Sequence, residues 1–216
     1  MTPTQAVKPA LTHLLYLHGF RSSPLSSKAQ HTARWVALHR PDLQFWCPQL
    51  PPSPTEALAL LRAGMADWPK SSMAVIGSSL GGFYATVLAE GLACPAVLFN
   101  PAVDPARDLT AHIGRQTTWQ DPAEAFFFRA EYIAELRAMA TGPLHDPAGY
   151  GVVIAKGDEV LDWREMQARY QGAEILLLEG SDHALSEFDR PFDFLLDFLA
   201  IAPAAPATAR GTPATR

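Results

Sequence analysis

The run Met73-Ala74-Val75-Ile76-Gly77-Ser78-Ser79-Leu80-Gly81-Gly82-Phe83-Tyr84-Ala85-Thr86-Val87-Leu88-Ala89-Glu90-Gly91 decides the fold. Its first four residues are apolar and include β-branched side chains, the composition of a buried strand. Phe83 to Glu90 reads as a helix, and Gly91 stands where a helix ends. Between them lies Gly77-Ser78-Ser79-Leu80-Gly81, a Gly-x-Ser-x-Gly match in the strand–turn–helix context that gives the pattern meaning. Such a turn is too tight for large side chains two residues either side of its centre. Gly77 and Gly81 remove them, so the frame centres on Ser79 and makes Ser78 a spacer. The Ser79 hydroxyl is then held at the carboxyl edge of a sheet. Beside it begin the free N–H groups and positive dipole end of a helix.

The same alternation extends outward in both directions. Leu11 to Leu17 reads as a core strand, followed by the turn-rich loop His18-Gly19-Phe20-Arg21-Ser22-Ser23-Pro24. A helix from Ser26 or Ser27 to about Arg40 carries Ala29, Ala33, Val36 and Ala37 at helical spacing. Leu43 to Cys47 is a second strand. Ser53-Pro54-Thr55-Glu56 fits a capping box ahead of a helix with Leu58, Leu61 and Met65 on one stripe. Ala96 to Phe99 is a fourth strand. After the segment 100–150, Val152 to Ala155 is a strand, Trp163 to Tyr170 a helix, and Ile175 to Leu178 the last strand. A final helix spans about Pro191 to Ala200. Its Asp189, Asp193 and Asp197 form a solvated stripe opposite Phe192, Leu195, Leu196 and Leu199. Apolar strands alternating with amphipathic helices predict an α/β fold: a mostly parallel sheet with helices on both faces.

The segment from Asn100 to Tyr150 interrupts this rhythm. It contains no clear strand, the aromatic run Phe126-Phe127-Phe128 and a helix from Arg129 to about Ala140. It is either a lid-like, substrate-binding excursion or a helix packed over a sheet edge. Residues 1–10 read as a flexible leader, 11–201 as one domain, and 202–216, rich in Ala, Pro and Thr, as a disordered tail.

Composition narrows the function classes. A chain of 216 residues with 48% hydrophobic content builds one substantial core. A net charge of −5 and the absence of a basic run argue against a nucleic-acid partner. No apolar run reaches membrane-spanning length, so no membrane insertion is expected. Leu14 to Leu17 is too short for a signal-peptide core, which predicts a cytoplasmic protein. Cys47 and Cys94 lack metal-ligand spacing and read as reduced thiols, and neither a metal nor a cofactor is expected.

A serine hydroxyl needs a base, an acid to hold that base, and donors for an oxyanion. Of seven histidines, only His183 lies in a short polar loop just after a late strand. Asp158 follows Val152–Ala155 directly and is the preferred acid. Asp162 is the alternative, with Glu159 and Asp104 weaker, and Asp182 is turned away from its neighbour His183. The order Ser79, Asp158, His183 is that of the α/β-hydrolase fold. The backbone N–H groups of Leu80 and Phe20 are the expected oxyanion donors, Gly19 permits close approach, and His18 orients the loop. The spacing of Gly77 to Gly82 fits neither a dinucleotide-binding turn nor a P-loop.

These residues carry a family resemblance. Leu15-Tyr16-Leu17-His18-Gly19-Phe20, Pro48-Gln49-Leu50-Pro51-Pro52, the Ile76–Thr86 segment, Asn100-Pro101-Ala102-Val103, Gly157 to Asp162 and Asp182-His183-Ala184 together resemble the YqiA/YcfP-like esterases. The resemblance runs from about Leu14 to Leu199. It implies a compact, minimal α/β-hydrolase with a Ser79–Asp158–His183 triad that cleaves small acyl esters or thioesters without a metal or cofactor. An acyltransferase or other acyl hydrolase with the same triad, and a non-catalytic binding module on this fold, are the competing readings. Acyl chain length and oligomeric state are open at this level.

Overall fold

The computed structural model describes residues 10–204. The expected leader up to residue 9 and the tail from residue 205 lie outside the described residues. In chain order the elements are β1 His13–Leu17, α1 Ser27–His39, β2 Gln44–Trp46, α2 Pro54–Gly64, β3 Met73–Ser78, α3 Leu80–Leu92, β4 Ala96–Phe99, α4 Pro105–Asp108, β5 Gly114–Thr117, β6 Ala125–Phe128, α5 Glu131–Met139, β7 Tyr150–Ala155, α6 Trp163–Arg169, β8 Glu174–Leu178 and α7 Asp189–Phe198. Six strands form one sheet in the order β2-β1-β3-β4-β7-β8. Every neighbouring pair in it is parallel.

The strand residues separate the two faces by simple alternation. Leu15, Leu17, Val75, Leu98, Val152 and Ile154 pack with α2, α3 and the excursion helices. Leu14, Tyr16, Ala74, Ile76, Val97, Phe99, Val153 and Ala155 pack with α1 and α7. Both faces are covered, which is why these strands read as continuous apolar runs. Asp189, Asp193 and Asp197 are exposed along α7. The sheet is the α/β-hydrolase architecture. Beyond it, the Ala204 N–H donates to the His39 carbonyl at 2.8 Å, running 202–204 along the end of α1.

The excursion departs from expectation. Instead of a strandless segment it contains an antiparallel hairpin in which Gly114 pairs with Phe128 and Thr117 with Ala125. The helix that follows, α5, is tied back to the core. Glu135 Oε2 accepts from Ser53 Oγ at 2.8 Å and from the Thr55 N–H at 2.9 Å. Ser53 caps α2 as expected, accepting from the Glu56 N–H. The carboxylate at that cap comes from Glu135 rather than from Glu56, which is exposed.

The strand order fixes where a site can form. The chain passes from β1 to β2 on one side, then returns to place β3 on the other side of β1. The carboxyl ends of β1 and β3 therefore flank the crevice where loops diverge. Among the described residues, no helix is long and apolar enough to cross a membrane.

Candidate active site

Ser79 lies between the end of β3 and the start of α3, with φ 55° and ψ −121°. An L-residue at positive φ is strained, and the surroundings hold it there. The Ser79 N–H donates to the Phe99 carbonyl at 3.0 Å, and its carbonyl accepts from Gly82 and Ala102 at 2.8 and 3.0 Å. The glycines are obligatory. A Cβ on Gly77 would lie 2.3 Å from the Gly81 carbonyl oxygen, and one on Gly81 would lie 2.1 Å from that of Leu17.

The three chemistry-bearing side chains named from the sequence come together here from three loops. Ser79 Oγ lies 3.1 Å from His183 Nε2. His183 Nδ1 lies 2.8 Å from Asp158 Oδ2. The Asp158 side chain is fully buried and that of His183 is 20% exposed. Asp158 Oδ1 accepts from the N–H groups of Val160 and Leu161, both at 2.8 Å, which fixes the carboxylate plane. An ionised carboxylate only accepts, so the proton on the ring sits at Nδ1 and leaves Nε2 as the acceptor facing Ser79. A hydroxyl, an imidazole and a buried carboxylate in one line can pass the hydroxyl proton to the ring and stabilise the resulting imidazolium.

The rival carboxylates are occupied elsewhere. Asp162 caps α6, accepting from the Arg164 N–H at 2.9 Å. Asp104 caps α4 through the Arg107 N–H. Asp182 turns away from His183, accepting from the N–H and hydroxyl of Ser186 at 2.8 and 2.6 Å. Those two bonds, the hydroxyl's first, hold its carboxyl below the usual carboxylate range, with burial opposing.

Phe20 and Leu80 flank the serine. Among the described residues, neither backbone N–H donates to a protein acceptor, as expected for Leu80 at the first position of a helix. A Cβ on Gly19 would lie 3.1 Å from Ser79 Cβ, so the loop after β1 runs directly against the serine. His18 is buried beneath that loop. Its Nδ1 bonds the Gly19 carbonyl at 3.0 Å and its Nε2 accepts from the Leu50 N–H at 3.2 Å. Burial holds its pKa below the ordinary histidine value, against the opposing bond to Gly19. The neutral ring therefore joins two loops, an orienting role.

Several residues shape the site in ways the sequence did not signal. Asn100, fully buried at φ 41°, donates to the carbonyls of Asp182 and His183 at 3.1 and 3.2 Å and accepts from the Ala155 N–H at 2.8 Å. Glu159 accepts from the His183 N–H at 2.9 Å. Arg21, at φ 59°, donates through Nε to the Thr117 carbonyl and through Nη2 to its hydroxyl, and its guanidinium lies 4.0 Å from the centre of the Trp119 ring. The Phe20 ring packs edge-on against Phe126 and Phe128. The hairpin β5–β6 is thus fastened to the loop after β1. A cavity of about 480 Å³ opens between them, lined by Phe20, Leu50, Leu80, Tyr84 and Phe126 among others.

The same fold recurs in solved structures of low sequence identity. A chain from LipS and LipT, two metagenome-derived lipolytic enzymes, superposes with a TM-score of 0.66 at 17% identity, covering 88% of this chain and 95% of that one. Mouse alpha/beta hydrolase domain-containing protein 10 gives 0.63 at 14%, with 87% and 90% covered. The Pyrococcus furiosus esterase Pf2001 gives 0.59 at 14%, with 89% and 82% covered. At such identities the likeness is one of fold. Residues 13–200 match the family described as "Uncharacterised protein family (UPF0227)". The chain belongs to this YqiA/YcfP-like family of the α/β-hydrolase superfamily.

Proposed function

We propose that the protein is a serine hydrolase acting on small acyl esters or thioesters. Ser79 is the nucleophile, His183 the general base and Asp158 the residue that orients His183 and stabilises its imidazolium. The observation that carries this reading is the unbroken line from the buried Asp158 carboxylate through His183 to a serine at positive φ. Ser79 Oγ attacks the carbonyl carbon as its proton passes to His183 Nε2. The N–H groups of Phe20 and Leu80 receive the developing oxyanion. His183 then protonates the departing alkoxide or thiolate, leaving an acyl-serine. Water, deprotonated by the same imidazole, attacks the acyl carbon, and the acid leaves as Ser79 recovers its proton. No step in this sequence requires a metal or cofactor. We place the activity in the cytoplasm.

Turnover of p-nitrophenyl acetate and butyrate by wild type and Ser79→Ala tests the reading. The expected loss in the variant is about 10⁴-fold or more in kcat. Equal rates in the two proteins would sink it.

A further inference from the structure

The buried tyrosines of the described core have different hydroxyl environments. The Tyr150 hydroxyl donates to Glu90 at 2.6 Å, and that of Tyr170 pairs with Thr86 at 2.8 Å. The Tyr16 hydroxyl is unpartnered but sealed from solvent inside the apolar core. Tyr84 differs from all three. The residue is 2% exposed and lines the cavity beside the loop after β1. Its hydroxyl has no hydrogen-bond partner among the described residues, yet it is not among the sealed atoms. A phenol open only to the cavity can be served by water there, and an occupant that displaces that water without offering an acceptor leaves it unpaired at a cost in free energy.

Position relates this hydroxyl to the reacting centre. Tyr84 follows Leu80 by four residues on α3, so the two lie on one helix face. One helical turn, about 6 Å, separates them along the axis. An acyl group whose carbonyl oxygen sits at the Leu80 N–H, with its chain running into the cavity, meets apolar walls from Phe20, Leu50 and Phe126 as well as Tyr84. The charged side chains lining the cavity, Arg21 and Glu124, have opposite signs. That balance favours an uncharged polar group over an anion. Burial and, secondarily, the nearby Glu135 carboxylate push the Tyr84 phenol up from its ordinary value, so it stays a donor at neutral pH.

We infer that Tyr84 is a specificity-determining residue, and that the cavity selects acyl groups with an apolar chain and an uncharged acceptor, an oxo or hydroxyl oxygen, placed a few atoms beyond the scissile carbonyl where the Tyr84 hydroxyl can donate to it. This rests on the serine-hydrolase reading of Ser79. Binding such a group pairs the phenol, whereas a plain alkyl chain leaves it unpaired.

The test compares p-nitrophenyl hexanoate with its 4-oxo and 5-oxo derivatives, each kcat/KM divided by the hydroxide-catalysed rate of the same ester. Wild type should favour at least one oxo ester by about tenfold. Tyr84→Phe, which keeps the ring packing, should bring that ratio close to one. A wild-type ratio at or below one overturns the inference without recourse to any variant. So does a ratio that survives in Tyr84→Phe. Turnover of p-nitrophenyl acetate alongside either result leaves the hydrolase reading standing while the specificity reading falls. No turnover of any ester removes both.

Discussion

At the scale of single residues, the two aspartates near the end of β7 separate cleanly by the partners they hold. Asp158 is buried against His183 and two backbone N–H groups, whereas Asp162 caps α6 at the surface. Asp158→Asn should therefore lower kcat by about 10³ to 10⁴-fold with little change in folding, because the amide favours the wrong imidazole tautomer. Asp162→Ala should keep most of the activity and cost about 1 kcal/mol of stability, the usual worth of a lost cap. Steady-state kinetics beside urea denaturation checks both; a kcat collapse confined to the Asp162 variant would reverse the assignment. Ser79, Asp158 and His183 were legible in sequence because each follows a strand whose apolar run is unmistakable. Asn100 and Glu159 were not legible as supports of the base loop. They act on backbone atoms of residues 82 to 83 and 24 positions away, respectively, and nothing in local pattern signals such a partner. Asn100→Ala, which leaves those carbonyls and the Ala155 N–H without their partner, should cost about 2 kcal/mol or more and slow turnover.

Among elements, the β3–α3 elbow and the β5–β6 hairpin differ in how they are specified. The elbow is written into glycines that sterics demand. Gly81→Ala sets a methyl 2.1 Å from a backbone oxygen that has nowhere to go. Its expected cost, about 3 kcal/mol or more, is at the top of the range for overpacking and should appear as a large drop in urea midpoint or loss of soluble protein. The hairpin escaped the sequence reading because β5, Gly-Arg-Gln-Thr, has no apolar alternation, and its partner is the aromatic run Ala125 to Phe128. Its identity is set by pairing and by its seat on the loop after β1, both tertiary facts. That seat has a functional consequence. Arg21→Gln removes the guanidinium that bonds both the Thr117 carbonyl and its hydroxyl, one residue from the Phe20 N–H. The variant should lose about tenfold in kcat with KM nearly unchanged, since an oxyanion donor acts on the transition state. A change confined to KM would mean the hairpin only shapes substrate binding.

Across the whole molecule, the parallel sheet and its two covered faces followed from strand periodicity alone, because each apolar strand feeds both cores. The same burial sets an alkaline limit. Burial pushes the Cys94 thiol up to about 11, with its own backbone amide opposing, and pushes Cys47 up to about 12. An unfolded thiol ionises near about 8.5. The folded state thus holds protons that the unfolded state releases, so this stabilisation is complete below about pH 8.5 and is lost as pH climbs toward 11 and 12. Lys28 acts in the opposite sense. Burial pushes it down to about 8 against the pull of Asp182 and Asp158, so its contribution rises with pH from about 8 to the unfolded lysine value. Urea midpoints at pH 8 and 10 for wild type and a Cys47→Ala/Cys94→Ala variant share the Lys28 contribution. The wild type should lose more stability than the variant over that step, and equal losses would contradict the thiol account.

All three scales converge on one atom, the Ser79 hydroxyl. The most direct measurement is peptide mass spectrometry after treating the folded protein with diethyl p-nitrophenyl phosphate. The expected result is one diethylphosphoryl group on Ser79, p-nitrophenolate released in equal amount, and parallel loss of esterase activity. An unlabelled Ser79 in protein that is folded and hydrolytically active, or a label on another residue that tracks the loss of activity, would contradict it.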